Sequence, residues 1–502
     1  MDPKAWCAAL FLALTAAAGA CAQDVTLTAR EGGLRLDGVL QGFDGEFYRI
    51  NTTYGALTVD AQGVICDGPG CPELTAPFAS LRFVGAPDMG STLVPPLMVA
   101  FARQRGMVYV QEAGPVYEAS LTDPVSGKPL AFISFSPMLP DDAAAALTAG
   151  EAEFAVAAAL DPALGNRAIA MDALIPIMAA DNPTSVVSSR DLAALLSGEI
   201  TNWIALGGPD MPIVLHGLGP QTDLQRALTA RLGREVTAEV VHPDPASLAM
   251  AVADDPYAIA IIGKSSLGAA QALPLTDSCG FPLLPTALAV KAEDYPLSLP
   301  IYLLTPRRRL PLLAREFLDF LATPPAQAVI AKAGYIDRSA ESQPMTADGL
   351  RLINAIQGAG EEVVLDDLKA LVAVMAGADR VSLTFRFQDG SSALDANSQQ
   401  NLADLAQLLE AGQFAGKDLI FAGFSDGSGD APTNLGLATA RAESVAAALA
   451  ALAPDLPPDR IPRAMGFGEV LPMACDTTSV GRGLNRRVEL WLRPQAIDTP
   501  QP

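Results

Sequence analysis

Histidine and basic residues are scarce in this chain of 502 residues. The sequence has two histidines, and 33 lysines and arginines against 56 aspartates and glutamates, for a formal net charge of −23. A chain with this much negative charge repels phosphate backbones and anionic lipid surfaces. We therefore predict no binding to nucleic acid or to anionic membranes. After residue 22 the sequence lacks an apolar run long enough to span a bilayer. The length allows two to four domains.

Residues 1–22 have the pattern of a secretory signal peptide. Lys4 precedes an apolar stretch over 5–18, and Ala20-Cys-Ala22 supplies the small residues of a cleavage site. A membrane anchor would need about 20 apolar residues. Cys21 leaves a lipid-anchored alternative open, although the usual leucine three positions earlier is missing. We therefore predict export to the periplasm, with outer-membrane lipidation as the alternative.

Four cysteines remain after the predicted signal, and an exported chain meets an oxidising environment. Cys66 and Cys71 enclose Asp-Gly-Pro-Gly, a turn-forming stretch, so we predict a disulfide between them. No histidine or further cysteine lies near them, which disfavours a metal site. Cys279 and Cys475 lie in different predicted domains and could bridge them or stay unpaired. We predict no metal and no cofactor.

Residues 23–75 alternate polar and apolar side chains between Asp-Gly turns, which predicts a small antiparallel β module. Residues 76–338 instead alternate short apolar runs with Ala/Leu-rich helical segments, which indicates an α/β domain. Its motifs include Ser197-Gly-Glu-Ile-Thr-Asn-Trp203 followed by Leu206-Gly-Gly208. With these motifs, the region resembles periplasmic substrate-binding proteins of the phosphate-binding type. The resemblance implies two lobes with a ligand cleft.

The cleft residues match that family only in part. The resemblance implies weak ligand-binding candidates at Gly90, Ser91, Thr92, His216 and Thr222. The arginine that the family carries in its second-lobe loop is absent here, and a buried anion without such a partner is poorly compensated. We therefore expect phosphate binding to be weakened, altered or lost. A receptor or sensor for phosphate or another small anion, in an ABC-type uptake system, remains the alternative function.

The last part of the chain begins with a connection over 339–377, where helical spacing predicts two short helices. Residues 378–494 then carry three separated motifs, and 495–502 form a tail. The motifs are Phe385-Arg-Phe387, Gly466-Phe-Gly-Glu469 and Gly481-Arg-Gly-Leu-Asn-Arg-Arg-Val-Glu489. Together with the strand–loop–helix over 418–442, they resemble the OmpA-like peptidoglycan-binding domain. That resemblance implies a βαβαββ-type fold.

The same resemblance implies a binding site for the diaminopimelate of the peptidoglycan stem. Asp426 follows a predicted strand and Arg441 lies in the next helix, so a carboxylate and a guanidinium can meet a zwitterion. Phe424 and Ala438 replace the histidine and serine usual in the family. The predicted site residues are Ser425, Asp426, Asn434, Arg441, Arg482 and Arg486.

A hydrolase is the remaining alternative, because Gly423-Phe-Ser425-Asp-Gly427 fits the G-x-S-x-G pattern. That pattern requires a helix directly after the serine and a later histidine. Here a Gly/Pro loop follows, and both histidines lie upstream. We therefore predict no catalytic residue. The sequence is interpreted as a multidomain, non-enzymatic envelope protein that binds peptidoglycan and presents a substrate-binding-like domain.

Overall fold

The computed structural model describes most of the chain from Asp24 onwards. The described residues are 24–29, 32–43, 47–61, 63–71, 79–125, 127–358, 363–388, 391 and 393–494. The predicted signal, Cys21 and the tail lie outside them.

The N-terminal module is a five-stranded antiparallel sheet in the order β4-β3-β2-β1-β5. Alternation buries one face around Val25, Leu27 and Ile50. The predicted disulfide between Cys66 and Cys71 is confirmed and ties the end of β5 to the following loop. The strands are β1 Asp24–Ala29, β2 Arg35–Phe43, β3 Phe47–Thr52, β4 Gly55–Asp60 and β5 Val64–Asp67.

The middle domain alternates strands and helices, as its sequence pattern predicts. Its strands are β6 Ala79–Gly85, β7 Val108–Gln111, β8 Tyr117–Thr122, β9 Pro129–Pro137, β10 Phe154–Ala157, β11 Gly165–Met178, β12 Val187–Ser188, β13 Val214–Leu218, β14 Val240–His242, β15 Ala258–Gly263, β16 Gln271–Ala272, β17 Leu275–Thr276, β18 Pro282–Leu283 and β19 Ser298–Thr305. Its helices are α1 Pro87–Gln104, α2 Pro140–Ala149, α3 Ser189–Leu196, α4 Asp223–Leu232, α5 Pro245–Asp254, α6 Ala287–Lys291, α7 Leu312–Leu321 and α8 Pro324–Lys332.

Two long strands, β11 and β19, join the two halves of this domain. The main sheet runs β14-β13-β15-β11-β19-β10-β6-β9-β8-β7, so β11 pairs with β19 through its first half and with β15 through its second. We call β6–β10 with α1, α2, α7 and α8 the first lobe, and β12–β18 with α3–α5 the second lobe. The crevice between them is called the cleft.

The C-terminal domain is a β-α-β-α-β-α-β unit that runs from β21 to β24. Strand β20, from the preceding segment, adds a fifth strand, and the sheet has the order β20-β21-β24-β22-β23. Gly423 of β22 lets α12 lie close to the sheet, since a Cβ there would fall 2.0 Å from the Ala438 carbonyl oxygen. The strands are β20 Ser342–Pro344, β21 Asp379–Arg386, β22 Lys417–Phe424, β23 Arg463–Gly466 and β24 Arg487–Pro494. The helices are α9 Gly349–Gly358, α10 Leu365–Met375, α11 Ala396–Glu410, α12 Ala431–Leu452 and α13 Ser479–Asn485.

The connecting segment becomes part of the C-terminal domain. Strand β20 pairs antiparallel with β21 and forms the edge of its sheet. Helices α9 and α10 bury Ala355, Leu371 and Met375 in one cluster with Phe424 and Trp491. Contrary to the sequence prediction that no run after residue 22 is long enough to span a bilayer, one described helix, α12, has the length and hydropathy to do so. It lies over β22 and β23, with its inner face buried in the domain core.

Buried charges connect the middle and C-terminal domains. Asp294 accepts from Arg380 at 2.7 Å and from Arg386 at 2.9 Å, across the domain boundary. Arg380 also reaches Glu489 at 3.4 Å, and Glu489 pairs with Arg487 at 2.6 Å. Burial raises the pKa of Glu489, but the surrounding arginines outweigh it and hold that pKa well below its ordinary value. Glu489 therefore stays ionised, and the ion pairs of Glu489 and Asp294 hold the junction together.

A disulfide crosses the same junction. Cys279 of the middle domain is bonded to Cys475 of the C-terminal domain, which settles the alternatives that the sequence left open. Asp277 supports the bridge, because one carboxylate oxygen accepts from the Cys279 amide and the other from the Cys475 amide. The disulfide thus joins the two domains covalently through cysteines that are 196 residues apart in sequence.

Candidate functional site

The candidate site lies where β22 ends and the chain turns into α12. The apolar run over 419–424 is buried because β22 pairs with β24 on one side and β23 on the other. Asp430 begins α12 by accepting from the Thr433 amide at 3.0 Å. The turn between them, Ser425 to Asp430, is therefore held at both ends, beside the start of β24.

Asp426 is the negative charge of the site. Its side chain accepts from Arg486 Nη1 at 2.9 Å and from the Ser428 amide at 3.0 Å. The residue is only 8% exposed. Burial raises the pKa of the Asp426 carboxyl, but hydrogen bonds from Arg486 and Ser428 outweigh it and lower the pKa below its usual value. Asp426 is therefore a carboxylate at neutral pH.

Arg441 is a cation without an anionic partner among the described residues. Its Nη1 lies 3.5 Å from the Phe424 carbonyl oxygen, and its guanidinium lies 5.9 Å from the centre of the Phe387 ring. Burial lowers the pKa of Arg441, the nearby charge of Arg486 lowers it further, and Asp426 acts in the opposite direction. Arginine keeps its proton despite such shifts, so this site holds an uncommitted guanidinium.

Both arginines border a pocket of about 550 Å³. Arg486, at the end of α13, reaches Asp426 on one side of the pocket, and Arg441 projects from α12. Phe387 and Leu437 contribute apolar wall, while Gln388 and Ser444 add hydrogen-bonding groups. The two guanidinium groups make the pocket wall positive, whereas Asp426 is buried, is bonded to Arg486 and is not among the residues that line the pocket. The wall itself therefore suits a ligand with a carboxylate group.

Two other predicted residues, Asn434 and Arg482, hold loops of this region, and a third, Ser425, is buried. Asn434 is buried and donates from Nδ2 to Glu469 Oε2 at 2.9 Å, which ties α12 to the loop after β23. Arg482 donates to the Asp476 carbonyl oxygen at 2.8 Å. The Ser425 hydroxyl is buried without a hydrogen-bond partner among the described residues. We interpret the first two as positioning residues.

Asn485 was missed as a site residue although its motif was recognised. Its Oδ1 accepts from the Met473 and Ala474 amides at 2.6 and 3.1 Å, and its Nδ2 donates to Asp476 Oδ1 at 2.6 Å. Asp476 in turn accepts from the Gly427 amide at 2.7 Å, next to Asp426. Asn485 thus positions the turn after β22 through Asp476. Its place directly before Arg486 in the recognised motif could have identified it from the sequence.

The hydrolase pattern around Ser425 has no histidine beside it. Both histidines belong to the middle domain, where His216 Nδ1 lies 3.0 Å from His242 Nε2. Burial, and then the neighbouring His242, lower the pKa of His216. These side chains come from the adjacent strands β13 and β14, and they pair with each other.

Two of the three predicted cleft hydroxyls, those of Ser91 and Thr222, are already engaged within their own loops. The Ser91 hydroxyl donates to the Pro87 carbonyl oxygen, and Thr222 Oγ1 donates to the Gly219 carbonyl oxygen at 2.8 Å. Ser91 and Thr92 border a cavity of about 500 Å³, and Thr222 borders an adjacent one of about 510 Å³. Both cavities lie between the lobes.

Gly90 has a packing role in the same region. A Cβ at this position would fall 2.1 Å from the Phe135 ring, so the glycine lets α1 approach β9. The five cleft residues predicted from the sequence are therefore two engaged hydroxyls, a packing glycine, a paired histidine and Thr92, which is exposed and borders the cavity.

Comparison with known proteins identifies both larger domains. Residues 386–486 match the model of the OmpA family, and residues 140–325 match the model of a PBP superfamily domain. The two resemblances stated from the sequence motifs, and the predicted fold class, are thereby confirmed. Asp426, Arg441 and Arg486 all lie inside the first match.

Two curated relatives match the C-terminal part of the chain. Outer membrane porin F of Pseudomonas fluorescens is 33% identical over 124 residues, which cover 25% of this chain and 36% of the relative. Probable lipoprotein YiaD of Escherichia coli (strain K12) is 32% identical over 127 residues, covering 24% of this chain and 56% of the relative. The chain thus spans about a third of the length of the porin and just over half of the length of the lipoprotein.

A solved structure aligns with the middle part. The ABC-type phosphate transport receptor from Vibrio cholerae is 17% identical, with a TM-score of 0.40, covering 51% of this chain and 99% of the receptor.

Proposed function

Because the chain joins an OmpA-family domain to a PBP superfamily domain, we propose that it binds peptidoglycan non-covalently and holds the middle domain at the cell wall. The observation that carries this proposal is the uncommitted guanidinium of Arg441 beside the Asp426–Arg486 pair. The two curated relatives are an outer membrane porin and a probable lipoprotein, and this supports a place in the cell envelope.

The proposed ligand is the diaminopimelate residue of the peptide stem. Arg441 binds its free carboxylate through two parallel N–H donors, and Arg486 adds a second positive charge. Asp426 accepts from its ammonium group, since a carboxylate offers about four acceptor positions and Arg486 and the amide and hydroxyl of Ser428 use three of them. The Phe387 ring and Leu437 pack against the aliphatic part. The site carries no reacting group, and we assign the protein no enzymatic reaction.

The periplasm is the proposed location, reached through the predicted signal over 1–22, with Cys21 as an alternative lipid attachment point. In this location the domain junction, with its disulfide, keeps the middle domain at a set distance from the wall.

The receptor alternative would make the middle domain a phosphate or small-anion sensor. The engaged hydroxyls of Ser91 and Thr222 leave fewer donors for an anion in the cleft. We therefore favour a scaffold role for this domain, and no observation in the cleft favours the receptor specifically.

Sedimentation with purified peptidoglycan tests the proposal. Asp426→Ala and Arg441→Ala are each expected to lose retention on diaminopimelate-containing peptidoglycan, with an unchanged circular dichroism spectrum. Arg463→Ala is the matched control, because Arg463 is an exposed arginine on β23 of the same domain. Peptidoglycan with lysine in place of diaminopimelate should bind weakly even to the wild type. Wild-type retention by both site variants would refute the proposal.

A further inference from the structure

The cleft of the middle domain contains a feature that neither family match explains. Helix α1 of the first lobe and helix α4 of the second both begin at the cleft, and helix N-termini attract anions. In this chain each helix carries its own carboxylate in its first turn, Asp88 in α1 and Asp223 in α4. Both aspartates border the same cavity of about 510 Å³.

Asp223 reaches across the cleft. Its Oδ1 accepts from the backbone amide of Ala158 at 3.0 Å. Ala158 directly follows β10 of the first lobe, while Asp223 is the first residue of α4 in the second. The aspartate is only 7% exposed, so this hydrogen bond is shielded from water. A first-lobe amide facing the cleft is the kind of donor that would receive an oxyanion, and here it is already used.

No described cation neutralises Asp223 directly. The nearest candidate on its own helix, Arg226, pairs with Asp141 of α2 at 2.9 and 3.0 Å. This second contact between the lobes is largely exposed, with 37% of the Arg226 side chain and 77% of the Asp141 side chain accessible, so it adds little. Burial raises the pKa of Asp223 to about 6, and the charge of Asp88 raises it as well. This direction is typical of a carboxylate held without a counter-ion.

We propose that Asp223 is a built-in anion: its carboxylate occupies the cleft amide that a bound oxyanion would use, holds the two lobes together without a ligand, and excludes phosphate and similar anions. The carboxylate of Asp88, on the opposite wall, reinforces the exclusion. The cavity that remains is walled by Pro137, Met138 and Leu218, so a molecule that enters it is neutral or cationic and has an apolar body. Asp223 thus determines the specificity of the cleft.

Two variants separate the contact from the charge. Asp223→Ala removes both, whereas Asp223→Asn keeps an acceptor oxygen for the Ala158 amide and removes the charge. Asp142→Ala is the matched control. Asp142 is an exposed aspartate in the first turn of α2, so its replacement removes the same charge from a first-turn position of another helix. All are made in the full chain, and folding is verified by thermal unfolding.

The separation of the lobes is measured by spin labels at Arg103→Cys in the first lobe and Ile204→Cys in the second, both exposed positions. We expect one narrow distance in the wild type, in the Asp142→Ala control and in Asp223→Asn, unchanged by inorganic phosphate. Asp223→Ala should show a longer or broader distribution. The role of the hydrogen bond would be overturned if Asp223→Ala showed the wild-type distance between the lobes, or if Asp223→Asn showed a longer one.

Calorimetry with inorganic phosphate, and separately with sulfate, tests the exclusion. The wild type and the Asp142→Ala control should give no heat of binding at millimolar concentrations. Asp223→Ala frees the Ala158 amide and removes the charge, so it should bind phosphate with a Kd at least tenfold below the highest concentration tested on the wild type. Phosphate binding by the wild type at micromolar concentrations would overturn the proposal and support a receptor. Equal exclusion by Asp223→Ala would show that this carboxylate does not set the specificity, which also overturns it.

Discussion

Replacing Arg441 with alanine should weaken peptidoglycan binding strongly and stability only slightly. In the unbound protein this guanidinium makes one long hydrogen bond, 3.5 Å to the Phe424 carbonyl oxygen, and a distant contact with the Phe387 ring, and no described carboxylate pairs with it. Its loss should therefore change the free energy of unfolding by less than about 1 kcal/mol. A charge-assisted hydrogen bond to a ligand contributes about 1.5–3 kcal/mol, which corresponds to a roughly 10- to 150-fold rise in Kd.

The assay is isothermal titration calorimetry, in which a soluble muropeptide that contains diaminopimelate is titrated into the protein. Arg441→Lys should give an intermediate affinity, because the ammonium keeps the charge but lacks the planar fork of donors. Arg463→Ala should bind as the wild type does. A Kd for Arg441→Ala within twofold of the wild type would refute the assignment. A loss of stability by more than about 2 kcal/mol would show that Arg441 is mainly a structural residue.

Three further predictions concern the junction and the core. Replacing Cys279 and Cys475 with serine together should lower the free energy of unfolding by about 2–5 kcal/mol in denaturant titrations, since the bridge closes a loop of 196 residues. Glu489→Gln should cost about 3–5 kcal/mol in the same assay, because it leaves several buried arginines short of a counter-charge. Burial raises the pKa of Asp172 to about 6, so protonation stabilises the folded state and stability rises as pH falls through 6 towards 3.8. Between pH 7.5 and 4, the difference in stability between wild type and Asp172→Asn should therefore change by about 2–3 kcal/mol in favour of the wild type.

Each of these predictions has its own control. The double serine variant of Cys66 and Cys71 should affect the N-terminal module and leave unfolding of the other two domains unchanged. Asp254→Asn is the matched control variant, because it makes the same change at an exposed aspartate of the same domain. A Glu489→Gln variant as stable as the wild type would show that the junction does not need the charge. A pH-independent difference for Asp172→Asn would contradict the raised pKa.

Local sequence indicated the order of the domains and the charged residues around the turn between β22 and α12. Asp426 and Arg441 could be placed because a strand end and the helix that follows it are neighbours in the chain, and their spacing limits where the side chains can lie. Arg486 belonged to a continuous motif beside them. The Cys66–Cys71 bridge closes a turn that its own residues form.

Only the tertiary structure decided the contacts between distant segments. It joined Cys279 to Cys475, set Asp294 between Arg380 and Arg386, and brought the Asp223 carboxylate to the Ala158 amide. None of these pairs has a local pattern, since a buried charge takes whichever partner the packing of whole elements brings near it. Periodicity shows which face of a helix is buried, but the neighbour of that face is chosen by how the lobes and domains pack.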